Sequence, residues 1–372
     1  MNESDKTLVI IVSDLYIRGY IISLKNEMLA VLNTQQYLKT ASDQELIQAI
    51  QFEFQGQFNK SVIISDLNKV LEDVTGKISA GNVTVVMNVN GATVSIVIGI
   101  LGRIVYSKKY DFGFSHQLAN LLLPENRTLF EQRLALWGYD NEKIRTAYNY
   151  LGNRQMYKGI PIVNKESEDA LMGILWLICL KNELNTIIAE NTKGLRFEEI
   201  PHVILTGEIA QEFIDQGNLA LSLIDGFKLT GIWQLILDPR MQLLLYSQDI
   251  SEDLSIYSLE ELESIGSVIA FDSPYNWGEY IGKMRVDLGL SEDQVVDLKC
   301  GQIIRIPLSK QVSGGLTIKA KPNVVINYQG EIDKLAGGNI GLIIDTRNRP
   351  LPDLSQTKIY NKHMHHWIEA LH

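Results

Sequence analysis

The chain has 372 residues, of which 45% are hydrophobic and 21% charged, a composition typical of a folded protein with more than one compact unit. Its 34 basic and 44 acidic residues leave a net charge of −10, which disfavours nucleic acid and anionic lipid as partners. The only cysteines are Cys179 and Cys300, so neither a disulfide framework nor a cysteine metal site is expected.

The start of the chain predicts a strand meander followed by alternating helices and strands. Residues 1–6 are polar and lead directly into an apolar run, without the basic start and apolar core of a signal peptide, so we expect a cytoplasmic protein. β-Branched runs and helical spacing then alternate up to Gly76. The predicted elements are strands at 8–12, 19–23, 28–33 and 61–64 and helices at 43–54 and 66–75, the second of which ends at Gly76.

A similar order of elements begins again after residue 81, which indicates two related lobes. The tight-turn dipeptide Asn90-Gly91 joins two apolar strands, and Gly102 marks the turn into a third. The longest apolar run, 170–180, is shorter than the about 20 residues that a membrane span needs. The predicted elements are strands at 83–89, 93–100, 103–108 and 203–205 and helices at 117–123, 142–151, 166–188 and 218–229.

After residue 266 the sequence changes to short strands that are separated by Gly, Pro and Asn. These strands are predicted at 267–270, 302–307, 315–320, 323–327 and 339–345, and a final helix at 358–371. We therefore expect three domains: a shortened first lobe at 1–80, a second lobe at 81–265, and a β-rich C-terminal module with a terminal helix at 266–372.

The two meanders resemble the two lobes of the actin-like ATPases, whose α/β fold is a duplicated ribonuclease H-like unit. In that superfamily, two hairpin turns hold the nucleotide phosphates, because their small residues let backbone N–H groups approach an anion. The resemblance implies a nucleotide cleft formed by these turns and by a Gly-Gly turn on the adenosine side. The matching positions are Asp14 in the first turn, Asn88, Gly91, Ala92 and Thr93 in the second, and Thr206 and Gly207 in the third.

All three turns depart from the superfamily pattern. Asn88 stands where Asp is expected and offers Mg²⁺ no anionic ligand. Tyr16 and Ile17 occupy the places of Gly and Ser, and Glu208 replaces the second Gly of the third turn. Asp14 also fits an ordinary hairpin turn without a ligand, and this is the interpretation that we favour. We expect Tyr16, Ile17 and Glu208 to fill the cleft, with no catalytic residue, no metal and no cofactor; retained binding of ATP and Mg²⁺ is the alternative.

Later segments resemble the glutamate mutase L (MutL) family of this superfamily. The block 337–351 is close to the family's ending Gly-Gly-x-x-Gly-Leu-x-x-Asp-x-Arg-Gly-Arg-Pro-Leu, with Asn348 in place of Gly. Within this block, we expect Arg347 and Arg349 to bind a carboxylate or a backbone carbonyl and, with Asp345, to hold the C-terminal module against the second lobe; binding of a phosphate is the alternative. Further similar segments lie at 148–154, 159–161, 222–239 and 266–270.

MutL proteins are linked to coenzyme-B12-dependent glutamate mutase as proposed ATP-driven reactivating chaperones, so the resemblance implies a chaperone or a scaffold. Because all three turns are eroded, we expect an actin-like pseudo-ATPase that acts as a scaffold or assembly protein, and whether it is an enzyme stays open. The alternatives are a reactivating chaperone that uses ATP, and a filament-forming or membrane-machinery scaffold of the pilus or division type. The expected partners are proteins, including further copies of the chain, with no nucleic acid and no direct membrane insertion.

Overall fold

The structure is a computed structural model whose described residues form three β-sheets connected by helices. It describes residues 6–25, 28–114, 118–157, 160, 162–182, 184–195, 197, 199–247, 250, 259, 262–287, 293–310, 313–326, 335–347 and 357–372. The strands are β1 (Lys6–Val12), β2 (Tyr16–Lys25), β3 (Met28–Leu38), β4 (Lys60–Ile64), β5 (Val83–Val89), β6 (Val94–Ile100), β7 (Arg103–Tyr110), β8 (His202–Thr206), β9 (Gly231–Asp238), β10 (Glu263–Ala270), β11 (Tyr280–Asp287), β12 (Gln294–Lys299), β13 (Ile303–Ile306), β14 (Ser313–Ala320), β15 (Leu335–Ala336) and β16 (Gly341–Asp345). The helices are α1 (Asp43–Glu53), α2 (Leu67–Ile78), α3 (Leu118–Leu121), α4 (Pro124–Leu136), α5 (Asn141–Met156), α6 (Lys165–Leu180), α7 (Leu184–Thr192), α8 (Gln216–Gly226) and α9 (Thr357–Leu371), with short 3-10 helices at Glu208–Gln211 and Gln242–Tyr246.

The first sheet has four strands in the order β3-β2-β1-β4. β1 pairs antiparallel with β2 and parallel with β4, and β2 pairs antiparallel with β3. The strands form at the β-branched runs of the sequence because such side chains pack well on a pleated surface. Ser42 is the N-cap of α1. Its side chain accepts the N–H of Glu45, and the Glu45 carboxylate accepts the backbone N–H of Ser42.

The second sheet repeats this pairing and extends it to eight strands, in the order β13-β16-β10-β9-β8-β5-β6-β7. β5 pairs antiparallel with β6 and parallel with β8, and β6 pairs antiparallel with β7. β5 and β6 are buried along their whole length, which explains their continuous apolar runs. The repeated strand order confirms the predicted duplicated actin-like, ribonuclease H-like α/β fold.

The C-terminal strands contribute to two different sheets. β10, β13 and β16 belong to the second sheet, where β10 pairs antiparallel with β9 and parallel with β16. The other strands form a third sheet in the order β12-β11-β14-β15. The limit expected between residues 265 and 266 thus falls inside β10, and the division of the chain into three domains stays a prediction.

Several helices differ from their predicted bounds, and two of these differences have a clear physical cause. α2 continues through Gly76 to Ile78, which is buried, so packing of the last turn outweighs the poor helix propensity of glycine. The helix predicted at 166–188 is divided into α6 and α7. The side chain of Asn182 donates to Ile178 O at the end of α6, and such local side-chain bonds compete with helix continuation.

The C-terminal strands differ more from their prediction. Residues 323–327 were expected to form a strand, but the described residues there make only an isolated bridge between Asp272 and Val325. Asn323 has a φ of +63°, which interrupts an extended run. The sequence did not predict α4, β11 or β12.

One apolar core joins the first two sheets around α2. Because α2 lies between the sheets, separating the lobes would expose its apolar residues to water. The core side chains are Val9, Ile11, Tyr20 and Ile22 from the first sheet, Val70, Leu71 and Val74 from α2, and Val86, Val97, Ile204 and Ile236 from the second sheet.

α6 packs in the core on the other face of the second sheet, with residues 167–179 all buried. The stretch Lys165–Thr192 is long and apolar enough to cross a membrane by length and composition alone, and 65% of its most apolar window is buried inside the protein. A helix in the core of a folded chain has these same properties.

Arg347 is fully buried and holds β16 against α8. Its Nη2 donates to Asp225 Oδ1 at 2.6 Å and to Asp345 Oδ2 at 2.7 Å, and its Nε donates to Asp345 Oδ1 at 3.0 Å. Asp225 Oδ2 also accepts from Nη1 of Arg133 on α4 at 2.9 Å. The predicted carboxylate partner of Arg347 is confirmed, whereas Arg349 lies outside the described residues.

Replacing this arginine should destabilise the protein strongly. We expect Arg347→Ala to lower the free energy of unfolding by about 3–5 kcal/mol, because it leaves the buried carboxylates of Asp225 and Asp345 without their shared cation. Urea denaturation followed by circular dichroism measures the change. The matched control is Arg285→Ala, whose side chain is 65% exposed in its ion pair with Asp293 and should cost less than about 1 kcal/mol. Similar losses in the two variants would contradict the role of the buried network.

Candidate functional site

Two hairpin turns, one from each sheet, lie together at the carboxyl ends of β1 and β5. The first turn closes with Ser13 N–H donating to Tyr16 O at 3.0 Å, and the second with Asn90 N–H donating to Thr93 O at 2.9 Å. β8 runs parallel beside β5 and ends at Thr206, so the residues that follow it arrive at the same edge. The structure therefore brings the three predicted turns together.

Glu208 joins the two hairpins. Glu208 is only 1% exposed. Its Oε1 accepts hydrogen bonds from Ser13 Oγ at 2.5 Å, from the N–H of Leu15, and from the N–H of Tyr16 at 3.1 Å. Its Oε2 accepts from the N–H of Gly91 at 2.7 Å. One carboxylate thus occupies backbone donors of both turns.

Asp14 makes the reciprocal connection from the first hairpin to the second. Its Oδ2 accepts from the N–H groups of Ala92 at 2.9 Å and Thr93 at 3.1 Å. The hydroxyl of Thr93 donates to the same oxygen at 3.2 Å. Four of the predicted site residues therefore make hydrogen bonds to other residues of the same chain: Asp14, Gly91, Ala92 and Thr93.

The third turn is positioned by Gly207 and two asparagines. Gly207 has a φ of +100°, and a Cβ there would lie 2.5 Å from both Asn88 Oδ1 and Val89 O, so only glycine fits. Asn90 Oδ1 accepts the N–H of Glu208 at 3.1 Å. Asn88 is 1% exposed, and its Oδ1 makes no hydrogen bond with the residues that the structure describes. Asn88 therefore lies against the backbone of the third turn.

The residue that fills the space between the hairpins is Leu15, which is 1% exposed. A Cβ on Gly91 would lie 2.7 Å from Leu15 Cγ, so the second hairpin needs glycine at this contact. Ile17 instead packs under α1, because alternate strand residues point to opposite faces of the sheet. The expectation that Glu208 faces the cleft is confirmed, and the one for Ile17 was wrong.

Tyr16 contributes mainly its backbone N–H, while its side chain is half-buried. Burial raises the pKa of the Tyr16 phenol, and the nearby Glu212 carboxylate raises it further. Glu212 accepts from Nη2 of the buried Arg154 at 2.6 Å. The phenol is therefore neutral near pH 7 and adds no anion to the cleft.

Thr206 lies at the same edge of the second sheet as the turns, but its hydroxyl makes a hydrogen bond to a residue of the neighbouring strand β9. Oγ1 donates to Asp238 Oδ2 at 2.8 Å. The carboxylate of Asp238, which is fully buried, also accepts the N–H groups of Gln242 at 2.8 Å and Leu243 at 3.0 Å. Thr206 therefore connects β8 to β9 and to the second 3-10 helix.

Sequence reasoning placed Asn90 in a tight turn, but it did not predict that Ser13, Leu15 and Asn90 would contact Glu208. The sequence feature that indicates these contacts is Glu208, because an acidic residue just after a buried strand needs polar partners around it. A hydroxyl and free N–H groups in the first turn, and an amide in the second, are the groups able to supply these contacts.

Burial has the largest effect on the Glu208 carboxyl and raises its pKa. The donors of Ser13, Leu15 and Gly91 lower it. The nearby Asp14 carboxylate raises it. The bridge therefore brings two carboxylates close to each other, each held by donors of the chain.

A small polar pocket of about 260 Å³ remains beside this bridge. Pockets for organic ligands commonly have about 300–1,000 Å³. The space at this pocket is therefore smaller than is common for an organic ligand. Its lining includes Asp14, Lys39, Asp66, Asn88, Thr93 and Lys109.

No protein-family model matches the sequence, and no curated protein matches it. Among solved structures, the ethanolamine utilization protein EutJ from Carboxydothermus hydrogenoformans is 11% identical, covering 68% of this chain and 90% of that one, with a TM-score of 0.38. The activator of the 2-hydroxyisocaproyl-CoA dehydratase from Clostridium difficile, with bound ADPNP, is 10% identical, covering 69% and 95%, with a TM-score of 0.34. Component A of the (R)-2-hydroxyglutaryl-CoA dehydratase from Acidaminococcus fermentans is 13% identical, covering 69% and 99%, with a TM-score of 0.31. Such distant similarity leaves the function of this chain to its own residues.

Removing the negative charge of the bridge should weaken the fold. We expect Glu208→Gln to lower the free energy of unfolding by about 1–3 kcal/mol, because the amide has one acceptor oxygen and points N–H groups at another donor. Urea denaturation at neutral pH measures the loss. Glu190→Gln on the exposed side of α7 is the matched control and should stay within about 0.5 kcal/mol of the parent. An equally small change at Glu208 would rule out the bridge as a stabilising contact.

Proposed function

We propose that this chain is an actin-like pseudo-ATPase that works as a scaffold or assembly protein. One observation carries the proposal: the Glu208 carboxylate accepts the N–H groups of Leu15, Tyr16 and Gly91. Converging backbone donors are what a turn offers to a bound anion. Here the anion is a side chain of the same protein, so a phosphate would have to displace it.

The arrangement around Asp14 and Asn88 also argues against hydrolysis. Transfer of a phosphoryl group requires a divalent cation that neutralises the developing charge. Such cations prefer carboxylate oxygens. Asn88 is neutral, and Oδ2 of Asp14 already accepts hydrogen bonds from Ala92 and Thr93. A cation would therefore find little negative charge that is free to bind it.

Contacts between the lobes support a rigid shape rather than an opening and closing cleft. Arg18 of β2 donates to Gln211 Oε1 at 2.8 Å and to Pro239 O at 3.3 Å, and Tyr20 donates to the carbonyl of Arg240. These bonds add to the shared core around α2. A shape that does not change with nucleotide suits a protein that presents fixed surfaces to a protein partner.

The MutL resemblance belongs to this proposal. Its support is that the residues of the similar block have clear structural roles. Gly341 has a φ of +99°, and a Cβ there would lie 2.6 Å from Leu308 N. Asp345 and Arg347 form the buried network with Asp225. The pattern in this block thus corresponds to packing of the C-terminal strands against the second unit.

A reactivating chaperone that uses ATP is the competing function. It would require nucleotide to displace Glu208 and to separate two hairpins that are joined by hydrogen bonds in both directions. A filament-forming scaffold is compatible with the same closed cleft, because assembly uses outer surfaces. Cytoplasmic location and protein partners remain part of the proposal.

The purified protein should show no Mg²⁺-dependent ATP hydrolysis above background. The physical reason is that Glu208 occupies the donors, Asn88 removes a carboxylate, and Leu15 fills the space between the turns. Phosphate release measured with and without EDTA tests this. Glu208→Gly, which restores one turn alone, should also stay inactive because both hairpins must position the phosphates.

The control for a contaminating enzyme is Asp14→Ala. Turnover by the parent protein that disappears in Asp14→Ala would overturn the pseudo-ATPase proposal and favour the chaperone. Turnover that persists unchanged in this variant would come from a contaminant. A structure with ATP and Mg²⁺ in which triphosphate replaces the Glu208 carboxylate would also overturn the proposal.

A further inference from the structure

Among the residues that the structure describes, the first sheet has no counterpart to β9 of the second sheet. In the second sheet, β9 pairs parallel with β8, with His202–Thr206 beside Gln234–Asp238. β4 holds the place of β8 in the first sheet, since it pairs parallel with the first strand of its unit. In the described part of the chain, β4 pairs only with β1 and forms the edge of its sheet. No described strand of the chain therefore occupies the position equivalent to β9.

The edge formed by β4 carries one charged residue, Lys60, at its first position, and the rest of the strand has no charge, proline or bulge. Proteins protect exposed edges with charged residues, proline, bulges or a covering helix. The run from Ser61 to Ser65 contains no charge and no proline, and Ile63 is 48% exposed. α1 packs on β1 and β2, where it covers the neighbouring part of the sheet. An apolar β-branched edge is thus available to another strand.

We propose that β4 pairs antiparallel with β4 of a second copy of this chain, across a two-fold axis, to form one eight-stranded sheet. Full pairing of the five residues places Val62 opposite the partner's Val62 and Ser61 opposite the partner's Ile63. The same surface then serves both copies, as a two-fold dimer requires. This self-association adds to the proposed scaffold role but does not depend on whether the cleft binds nucleotide.

Charge complementarity favours a second copy as the occupant. In this register, Lys60 lies opposite the partner's Ile64 and diagonally across from the partner's Asp66. Diagonal neighbours in antiparallel pairs are about 7–8 Å apart, within reach of a lysine side chain. No like charges face each other along the five pairs. Both Lys60 and Asp66 are exposed, so each ammonium can turn towards a carboxylate.

The antiparallel contact would produce a mixed sheet, and this protein already contains one. β9 pairs parallel with β8 on one side and antiparallel with β10 on the other. The opposite edge of the first sheet, β3, exposes polar and apolar residues in equal number, with Asn33, Thr34 and Gln36 beside Ala30, Leu32 and Leu38. The reason for choosing β4 is therefore the missing equivalent of β9 among the described strands, whose place is next to β4 and not next to β3.

A cysteine at the two-fold axis gives the most direct test. The natural cysteines, Cys179 and Cys300, are both buried, so Val62→Cys introduces one partly exposed thiol per chain, at a position that also packs against the core around α2. Under mild oxidation we expect a disulfide-linked species at twice the 41.9 kDa mass of the chain on a non-reducing gel. Leu32→Cys, at a residue of β3 that is 51% exposed, is the matched control and should remain a monomer on the gel.

Analytical ultracentrifugation over a wide concentration range gives an independent measurement. The parent protein should sediment as a dimer, and Ile63→Lys should weaken association by about tenfold or more, because charge on an edge strand opposes pairing. Leu32→Lys should leave the dimer unchanged. Thermal melting checks that each variant folds.

Three outcomes would overturn the proposal. The parent protein could sediment as a monomer at every concentration, which would leave the position beside β4 to a strand of a different protein. Leu32→Lys could dissociate the dimer while Ile63→Lys does not, which would place the interface on β3. Val62→Cys could fail to cross-link although a dimer is present. None of these results changes the expectation for ATP hydrolysis, which is measured separately.

Discussion

The hydrogen bonds between Glu208 and the two hairpins are the contact on which the centre of the molecule depends. A carboxylate that is attached to the chain loses little freedom when it binds, because its backbone is already fixed by β8 and Gly207. A free phosphate would lose its translational freedom and would also have to remove this carboxylate. The closed cleft is therefore the expected state even where free anions are abundant.

The Glu208 bridge and the shared core around α2 both oppose separation of the two lobes. Opening the lobes would break the bonds of Glu208 and Asp14 across the turns and would expose Val70 and Val74 to water. Neither the broken hydrogen bonds nor the exposed apolar surface alone excludes a hinge motion. The free-energy cost of both rises together as the lobes separate. The outer surfaces, including the edge of β4, are then left as the places where partners can bind.

The sequence predicted the two strand meanders and the positions of the turns, but it predicted less of what each side chain does there. β5 has the bounds that its apolar run predicted, because a central strand is apolar on both faces. The error at Ile17 arose from reading the turn as a motif, although strand alternation already placed this side chain towards α1. α4 was missed because its buried face includes the polar residues Asn126 and Arg133, which weaken the apolar spacing.

The residues that differ from the expected actin-like turns contact one another in the structure. Glu208 takes the donors of both turns, Asn90 accepts the N–H of Glu208, and Leu15 fills the remaining volume. Gly91 and Gly207 are required in this structure by the contact with Leu15 and by a positive φ, respectively. A glycine match in such a turn therefore indicates close backbone packing, and only the neighbouring side chains reveal whether a ligand or the protein itself occupies the space.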